Sequence, residues 1–335
     1  MRWRIILMEK KKSKKIDITI VGAGHYGREL ITPLYKKNKR CSLKAVISPT
    51  IEKEVLKGSE LEYLPLFRNI IEWRETMGES TISDLFDLSV HPHLLPGLVE
   101  ELAAIGAKNF VFPKPVARNG EDLKKLSALK RQYGLCIVVA SQWHYSEVTT
   151  KLKELIEKIS KESVITKIYF DWSQSMSRGQ LNIYTPASAL LPHMLQIIHS
   201  IGLLSPHVAV TLRSHSGHHL NVELFSGRII IELFTNLQTP EKKRLVEIFV
   251  QGREVPEVVG DFLGVFKDGQ AFKYPAIFYK GGKEEIHEDN LAIMTDKILQ
   301  AFSDDTLEKD SSILTFNRYM RVAQTQIQIE EALHG

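Results

Sequence analysis

Gly22-Ala23-Gly24-His25-Tyr26-Gly27 follows a β-branched run, residues 16–21 (IDITIV), and precedes a helical pattern over 28–37. Glycines at this spacing suit the close approach of backbone to a pyrophosphate. Gly22 permits the tight turn, Gly24 removes a Cβ from the phosphate's path, and Gly27 lets the helix pack near the strand. The helix start adds unpaired N–H groups and partial positive charge. Gly22, Gly24, His25, Tyr26 and Gly27 are therefore the expected dinucleotide-phosphate residues, and the strand–turn–helix context gives the motif its weight. The second strand, residues 43–47, leads into Ser48-Pro49-Thr50, with no carboxylate before Glu52. A carboxylate there would take the ribose 2′-hydroxyl. Ser48 and Thr50 can instead bond a 2′-phosphate, with charge from Lys53, so NADP(H) is favoured over NAD(H).

A second constellation can move protons. Thr185 is a good N-cap and Pro186 a good first helical residue, so positions 189, 193 and 196 are expected on one helix face. His193 and Gln196 then form a polar stripe beside Leu190, Leu191, Met194 and Ile198. A histidine there can orient a substrate or share a proton, although a satisfied core histidine has the same pattern. Gln142 and Trp143 follow the fifth strand, whose carboxyl end faces the ligand crevice of such sheets. Aromatic packing is the alternative for Trp143. Arg178 and Tyr184 lie in a polar loop, where Arg178 could meet an anionic substrate group or simply be solvated. His215, His218 and His219 lack a cysteine or clustered carboxylate to complete a site, so no metal is expected.

Positioning these residues requires alternating strands and helices. Strands are expected at 16–21, 43–47, 84–90, 109–112 and 135–140, with helices at 28–37, 96–105 and 121–133. That alternation predicts a doubly wound parallel sheet covered on both faces. The pattern then changes. A helix at 151–159 precedes strand-like runs at 164–172, 208–213, 219–225, 228–235, 244–251 and 271–279, and helices at 291–302 and 311–333 close the chain. The fold class is thus α/β: a Rossmann domain, residues 15–141, followed by an α+β domain, residues 142–335, with an open, mostly antiparallel sheet. Residues 1–14 read as a basic, solvated tail.

Residues 84–117, DLFDLSVHPHLLPGLVEELAAIGAKNFVFPKPVA, resemble the corresponding stretch of the Gfo/Idh/MocA oxidoreductases, the glucose–fructose oxidoreductase and inositol dehydrogenase family. Phe112-Pro113-Lys114-Pro115 matches that family's Glu-Lys-Pro tail, with Pro113 in place of the glutamate. The resemblance is specific over about residues 16–145 and thinner beyond. It implies hydride transfer with a nicotinamide cofactor, on a sugar, inositol or related polyol. It implies that Lys114 lies near the reacting carbon, that Pro115 accompanies it, and that the His91-Pro92 loop lies against the nicotinamide ribose. Its Asp-x-Gly-x-His element survives here in His193 alone: Ala189 and Leu191 stand at the aspartate and glycine positions, and Gln196 at a further acid. A lysine made less basic by burial or by the positive nicotinamide ring would suit proton transfer. The missing acids leave two readings: an oxidoreductase with Lys114 and His193 as its catalytic residues and a substrate other than a simple polyol, or a catalytically impaired dinucleotide- or ligand-sensing protein. The resemblance also implies a homodimer or homotetramer formed through the C-terminal sheet.

The 335 residues suit two domains, and hydrophobic and charged contents of 43% and 25% are those of an ordinary soluble protein. Much of the formal charge of +4 sits in Lys10, Lys11, Lys12, Lys14 and Lys15, leaving a near-neutral body. No basic face for nucleic acid is expected, and no run nears the roughly 18 apolar residues of a membrane span. Residues 1–8 are too short for a secretory signal, and Met8 could also initiate the chain. Cys41 and Cys136 lie in or beside apolar strand runs, which favours free thiols and a reducing cytoplasm. A small-molecule substrate is the expected partner.

Overall fold

The computed structural model describes residues 15–78, 82–182, 184–206, 208–267 and 270–334. The basic tail expected at 1–14 lies outside the described residues. Strands β1 (Ile16–Val21), β2 (Cys41–Ile47), β3 (Leu66–Phe67), β4 (Leu85–Leu88), β5 (Asn109–Phe112) and β6 (Cys136–Val139) form a parallel sheet in the order β3-β2-β1-β4-β5-β6. β4 is buried along its whole length, and β5 and β6 along most of theirs. Such two-sided burial explains why these strands read as apolar runs and not as alternations. Helices α1 (Thr32–Lys37), α2 (Ile70–Met77), α3 (Leu95–Ala104) and α4 (Gly120–Tyr133) make the connections. Asn69 and Asn119 start α2 and α4 by accepting from the N–H groups of Glu72 and Asp122.

The strand order reverses between β1 and β4, and their carboxyl ends open the crevice in which ligands of such sheets bind. The helix after the glycine turn begins earlier than expected, as a π-turn over Tyr26–Ile31 that runs into α1. Pro33 explains the wide turn. It has no N–H to donate, and in a regular α-helix its ring would collide with the Glu29 carbonyl.

The second half supplies α5 (Gln142–Tyr145), α6 (Glu147–Glu162), β7 (Ile165–Ser175), α7 (Arg178–Leu181), α8 (Pro186–Ala189) and α9 (Leu191–Ser200). β8 (Ala209–His215), β9 (His219–Ser226), β10 (Ile229–Asn236), β11 (Gln238–Val250) and β12 (Val258–Asp261) follow. A small β13 (Val265–Lys267) and β14 (Gln270–Lys273) hairpin precedes β15 (Ala276–Tyr279) and β16 (Gly282–Glu285). The larger sheet runs β16-β15-β12-β11-β7-β10-β9-β8, antiparallel except for the β7–β10 pair. The run expected as one strand at 271–279 is divided at Tyr274-Pro275, because proline cannot donate to a ladder. Likewise the single helix expected from Pro186 breaks at Leu190. Pro192 has no N–H for the Ser188 carbonyl, so α8 stops and α9 restarts with the proline in its first turn.

The last helices, α10 (Asn290–Ser303) and α11 (Phe316–His334), return to the first sheet, α10 against α1 and β1, α11 against α4 and β6. The Val139 N–H donates to the Leu314 carbonyl, and a row of rings runs Trp73, Phe86, Phe110, Phe112, Phe316 at centroid spacings of 5.5–6.3 Å. All five rings are buried to 1% or less exposure, each phenylalanine contributing roughly 1.5–3 kcal/mol. This row fixes the C-terminal helix to the nucleotide-type sheet. Cys41 and Cys136 are both free thiols.

Candidate active site

The glycine turn packs against the loop after β4. At Gly22, φ is +91°, and a Cβ would lie 2.4 Å from the Ser89 carbonyl oxygen. At Gly27 a Cβ would lie 2.6 Å from the Gly22 carbonyl oxygen. At Gly24 a Cβ would meet no atom within 4 Å, and Gly24 and His25 are exposed. Two glycines are thus demanded by protein contacts, and the third opens onto free space at a helix start, as a phosphate cradle requires. Tyr26 turns the other way. Its phenol is desolvated near Asp87 and held above the usual range by burial first and that carboxylate second. Its part in a cradle is confined to backbone.

Asp87 escaped the sequence reading. It is a buried carboxylate on β4 that accepts from Tyr35 Oη at 2.7 Å and from Ser89 Oγ at 2.7 Å. Burial raises its pKa, partly opposed by the bonds from Ser89 and Tyr35. The network braces the loop that touches Gly22 and Gly27. At the end of β2, Ser48 is buried and its N–H donates to the Phe67 carbonyl, whereas Thr50 and Lys53 are exposed. Thr50 and Lys53 thus present polar and positive groups to solvent just beyond the carboxyl end of β2.

Across the crevice the two halves of the chain meet. Lys114 lies in the loop after β5, where the Lys114–Pro115 peptide is cis, and His193 lies in the first turn of α9. Lys114 Nζ and His193 Nε2 are 2.6 Å apart. Lys114 keeps some exposed surface, but its ammonium is desolvated; burial first and Arg244 second bring its pKa down to about 7. Burial, then Lys114, Arg244 and Lys242, hold His193 well below the usual histidine range. His193 is therefore neutral at pH 7, and Nε2 can accept from the lysine ammonium when Nδ1 carries the ring proton. Nδ1 is buried and has no hydrogen-bond partner.

Trp172 on β7 is the platform for this pair. The His193 ring lies 5.4 Å from it, and the Arg244 guanidinium carbon lies 5.0 Å from its ring centre. Trp143 meets Trp172 edge-on at 5.5 Å and Phe262 at 5.3 Å, so it packs behind the platform. Gln142 is half-buried at the start of α5.

Gln196 is fully buried. Its amide donates to Ser200 Oγ at 3.0 Å and reaches His144 Nδ1 at 3.5 Å, and no bond to Lys114 or His193 is formed. His144 is also bonded to the Ser312 carbonyl and pushed down to about 4, burial being the largest cause. Position 196 thus belongs to an interior network beside α5. The break at Leu190 separates Ala189 from the helix that carries His193. On the opposite lip, the Tyr184 ring lies 6.1 Å from His91, which stacks on His93 at 6.0 Å, while Pro92 opens a short 3₁₀ turn. Arg178 is exposed on α7. Among the described residues, no group of three or more His, Cys, Asp or Glu could hold a metal ion, and no helix is long and apolar enough to cross a membrane.

A six-stranded Rossmann-type sheet joined to an eight-stranded, mostly antiparallel sheet is the architecture of the Gfo/Idh/MocA oxidoreductases, and the lysine–histidine pair lies where the two parts meet. Solved structures of that type share the fold at low sequence identity. An aldose–aldose oxidoreductase from Caulobacter crescentus, complexed with glycerol, aligns at a TM-score of 0.73 and 14% identity, over 96% of this chain and 97% of that one. A 3-ketoreductase from Actinomadura kijaniata, in complex with TDP-benzene and NADP, aligns at 0.69 and 11%, over 92% and 95%. The WlbA dehydrogenase from Thermus thermophilus, in complex with NAD and UDP-GlcNAcA, aligns at 0.64 and 13%, over 94% of each chain. No family model matches the chain, and no curated protein matches it in sequence.

Proposed function

We propose that this protein is an NAD(P)-dependent oxidoreductase that transfers a hydride between nicotinamide and a carbonyl/hydroxyl or imine/amine carbon of a small molecule. The observation that carries it is the 2.6 Å contact between Lys114 and His193 across the crevice, with the lysine shifted to about 7. The dinucleotide, when bound, supplies or accepts the hydride. The chain handles the proton. Below about pH 7 the Lys114 ammonium can give a proton to the oxygen or nitrogen of a substrate being reduced; above it the free amine can take one from a substrate being oxidised. Neutral His193 holds the lysine nitrogen in place through Nε2 and so orients it toward substrate.

The phosphates are assigned to the backbone of Gly22, Gly24, His25, Tyr26 and Gly27, and the nicotinamide ribose to His91, Pro92 and Pro115. Tyr184 faces His91 and is assigned to substrate, as are Gln142 and, more distantly, Arg178. Gln196 and Trp143 support the site from behind. NADP(H) is favoured over NAD(H), because Thr50 and Lys53 are exposed beyond β2 and Glu52 is the first acid there. A homodimer or homotetramer through the outer face of the larger sheet, where Tyr169 and Phe249 flank Lys167, completes the assignment. The two free thiols favour the cytoplasm. A domain boundary near 141–142 falls between β6 and α5.

The second reading, a dinucleotide- or ligand-sensing protein, draws on Ala189 and Gln196. Calorimetric titration with NADPH and NADH, followed by a carbonyl, imine and polyol panel with Lys114→Ala as control, separates the two. Dinucleotide binding with turnover that Lys114→Ala abolishes supports the enzyme. Binding without any turnover favours the sensor.

A further inference from the structure

Arg244 is the largest charged group in the crevice that the proton chemistry does not use. In the β7–β11 register it lies directly opposite Trp172, and in the β7–β10 register Thr235 lies opposite the same tryptophan. Paired residues share a sheet face, so all three lie on the side that α9 covers. Along β11, Arg244, Val246, Ile248 and Val250 are the buried set, which puts a guanidinium at 8% exposure where the pattern calls for an apolar side chain.

A buried cation needs compensation. Arg244 gets only neutral partners: Nη1 donates to the Ser173 and Lys243 carbonyls at 3.0 and 2.6 Å, and Nη2 to Gln174 Oε1 at 2.5 Å. Among the described residues no carboxylate lies within ion-pair distance. Asp171, the acid whose field it feels, already accepts from Ser173 and faces Lys243 at 3.6 Å. Among the described residues, Nε and the second Nη2 hydrogen have no acceptor. Lys114 and Lys242 are further positive groups near enough to feel Arg244 and, with it, to act on His193, and among the described residues no acid opposes them at Lys114 or His193. Thr235 Oγ is fully buried and also lacks a partner. A guanidinium fork with spare donors in a positive crevice, paired with no carboxylate among the described residues, is built for a planar or tetrahedral oxyanion.

We propose that Arg244 is the recognition residue for an anionic oxygen group, a carboxylate or a phosphate, on the substrate. This rests on the oxidoreductase reading above. The anion supplies the missing counter-charge, and the Trp172 platform keeps Arg244 and His193 in fixed relation to it.

The test uses full-length, dinucleotide-saturated protein titrated with acetate, glycolate and inorganic phosphate, with ethylene glycol as the neutral control. Calorimetry and tryptophan fluorescence read binding. Expected is binding of a carboxylate or phosphate but not of the glycol, weakened roughly tenfold or more in Arg244→Gln. Stronger carboxylate binding assigns a carboxylic acid substrate; stronger phosphate binding assigns a phosphorylated one. Arg244→Lys keeps the charge without the fork and decides the matter if the glutamine variant does not fold: a partial loss supports the proposal. No anion binding to wild type, or unchanged affinity in the variants, overturns it. The dinucleotide titration of the same samples reads the oxidoreductase proposal separately. Anion binding without dinucleotide binding defeats that reading and not this one, and the reverse defeats this one alone.

Discussion

Lys114 should titrate near neutrality, and that property decides how the site works. A lysine at its ordinary 10.5 is neutral at pH 7 in roughly one molecule in three thousand; at about 7 it is neutral in about half. Burial therefore raises the supply of free amine about a thousandfold. The perturbation is pH, with Lys114→Arg as companion, because a guanidinium keeps the charge but does not release its proton. Competitive acetylation of lysine amines, read by mass spectrometry across the pH range, reports the titration without any substrate. Lys114 should reach half its limiting reactivity near pH 7, well before the surface lysines. With a substrate in hand, kcat/KM for oxidation should rise through about pH 7 and that for reduction should fall, since one direction needs the amine and the other the ammonium. His193 is already neutral through this range and adds no second limb. Lys114→Arg should lose on the order of 10²–10⁴ in kcat/KM while dinucleotide affinity stays within about threefold. A Lys114 midpoint near 10, or an arginine variant with full turnover, would refute the proton-transfer role.

The glycines separate binding from folding. Gly24→Ala, whose Cβ meets nothing, should leave Tm unchanged but weaken dinucleotide binding by about tenfold or more, whereas Gly27→Ala, driven into the Gly22 carbonyl, should lower Tm as well. Equal Tm losses in the two variants would contradict this division. Asp87→Asn can keep partners for both Tyr35 and Ser89 and should stay within about 1 kcal/mol of wild type in urea unfolding, while Asp87→Leu strands the buried Tyr35 hydroxyl and should cost about 1–3 kcal/mol. In Arg244→Gln the Lys114 acetylation midpoint should move up, because a neighbouring positive charge that disfavours the ammonium is gone. Lys53→Glu should reduce the preference for NADPH over NADH by roughly three- to tenfold in paired calorimetric titrations.

The first sheet was legible because its signals are local. The glycine turn, the β-branched run before it and the apolar runs of β4, β5 and β6 each follow from a few adjacent residues. β3 was invisible at two residues, and β16, Gly-Lys-Glu-Glu, has no apolar residue to announce it. Lys114 and His193 could be named from motif and helix position, but their contact joins the loop after β5 to α9, and no spacing rule predicts it. Gln196 misled because helical spacing alone placed it with His193; the sequence gives no sign that Ser200 and His144 would claim its amide. Arg244 carried a signal that went unread. It is the first member of the series 244, 246, 248, 250, and a cation on the apolar face of a strand needs a partner or a purpose.

The loss of the acids and the presence of Arg244 are best understood as one feature. A carboxylate turned toward Lys114 and His193 would be a ready partner for a sugar hydroxyl. Ala189 provides no such group, and Gln196 spends its amide on Ser200 and His144. What remains around Lys114 is positive: Arg244 and, through His193, Lys242. That field does two things at once. It adds to burial, the larger cause, in lowering the lysine toward neutrality, and it leaves the crevice short of one negative charge. A substrate that brings the charge raises the affinity of the ammonium for its proton at the moment of binding, so the acid form is favoured where a carbonyl or imine is to be protonated. A neutral polyol would leave Arg244 uncompensated and the lysine half titrated. The substitution pattern that argues against a simple polyol therefore argues for an anionic substrate more strongly than for lost catalysis.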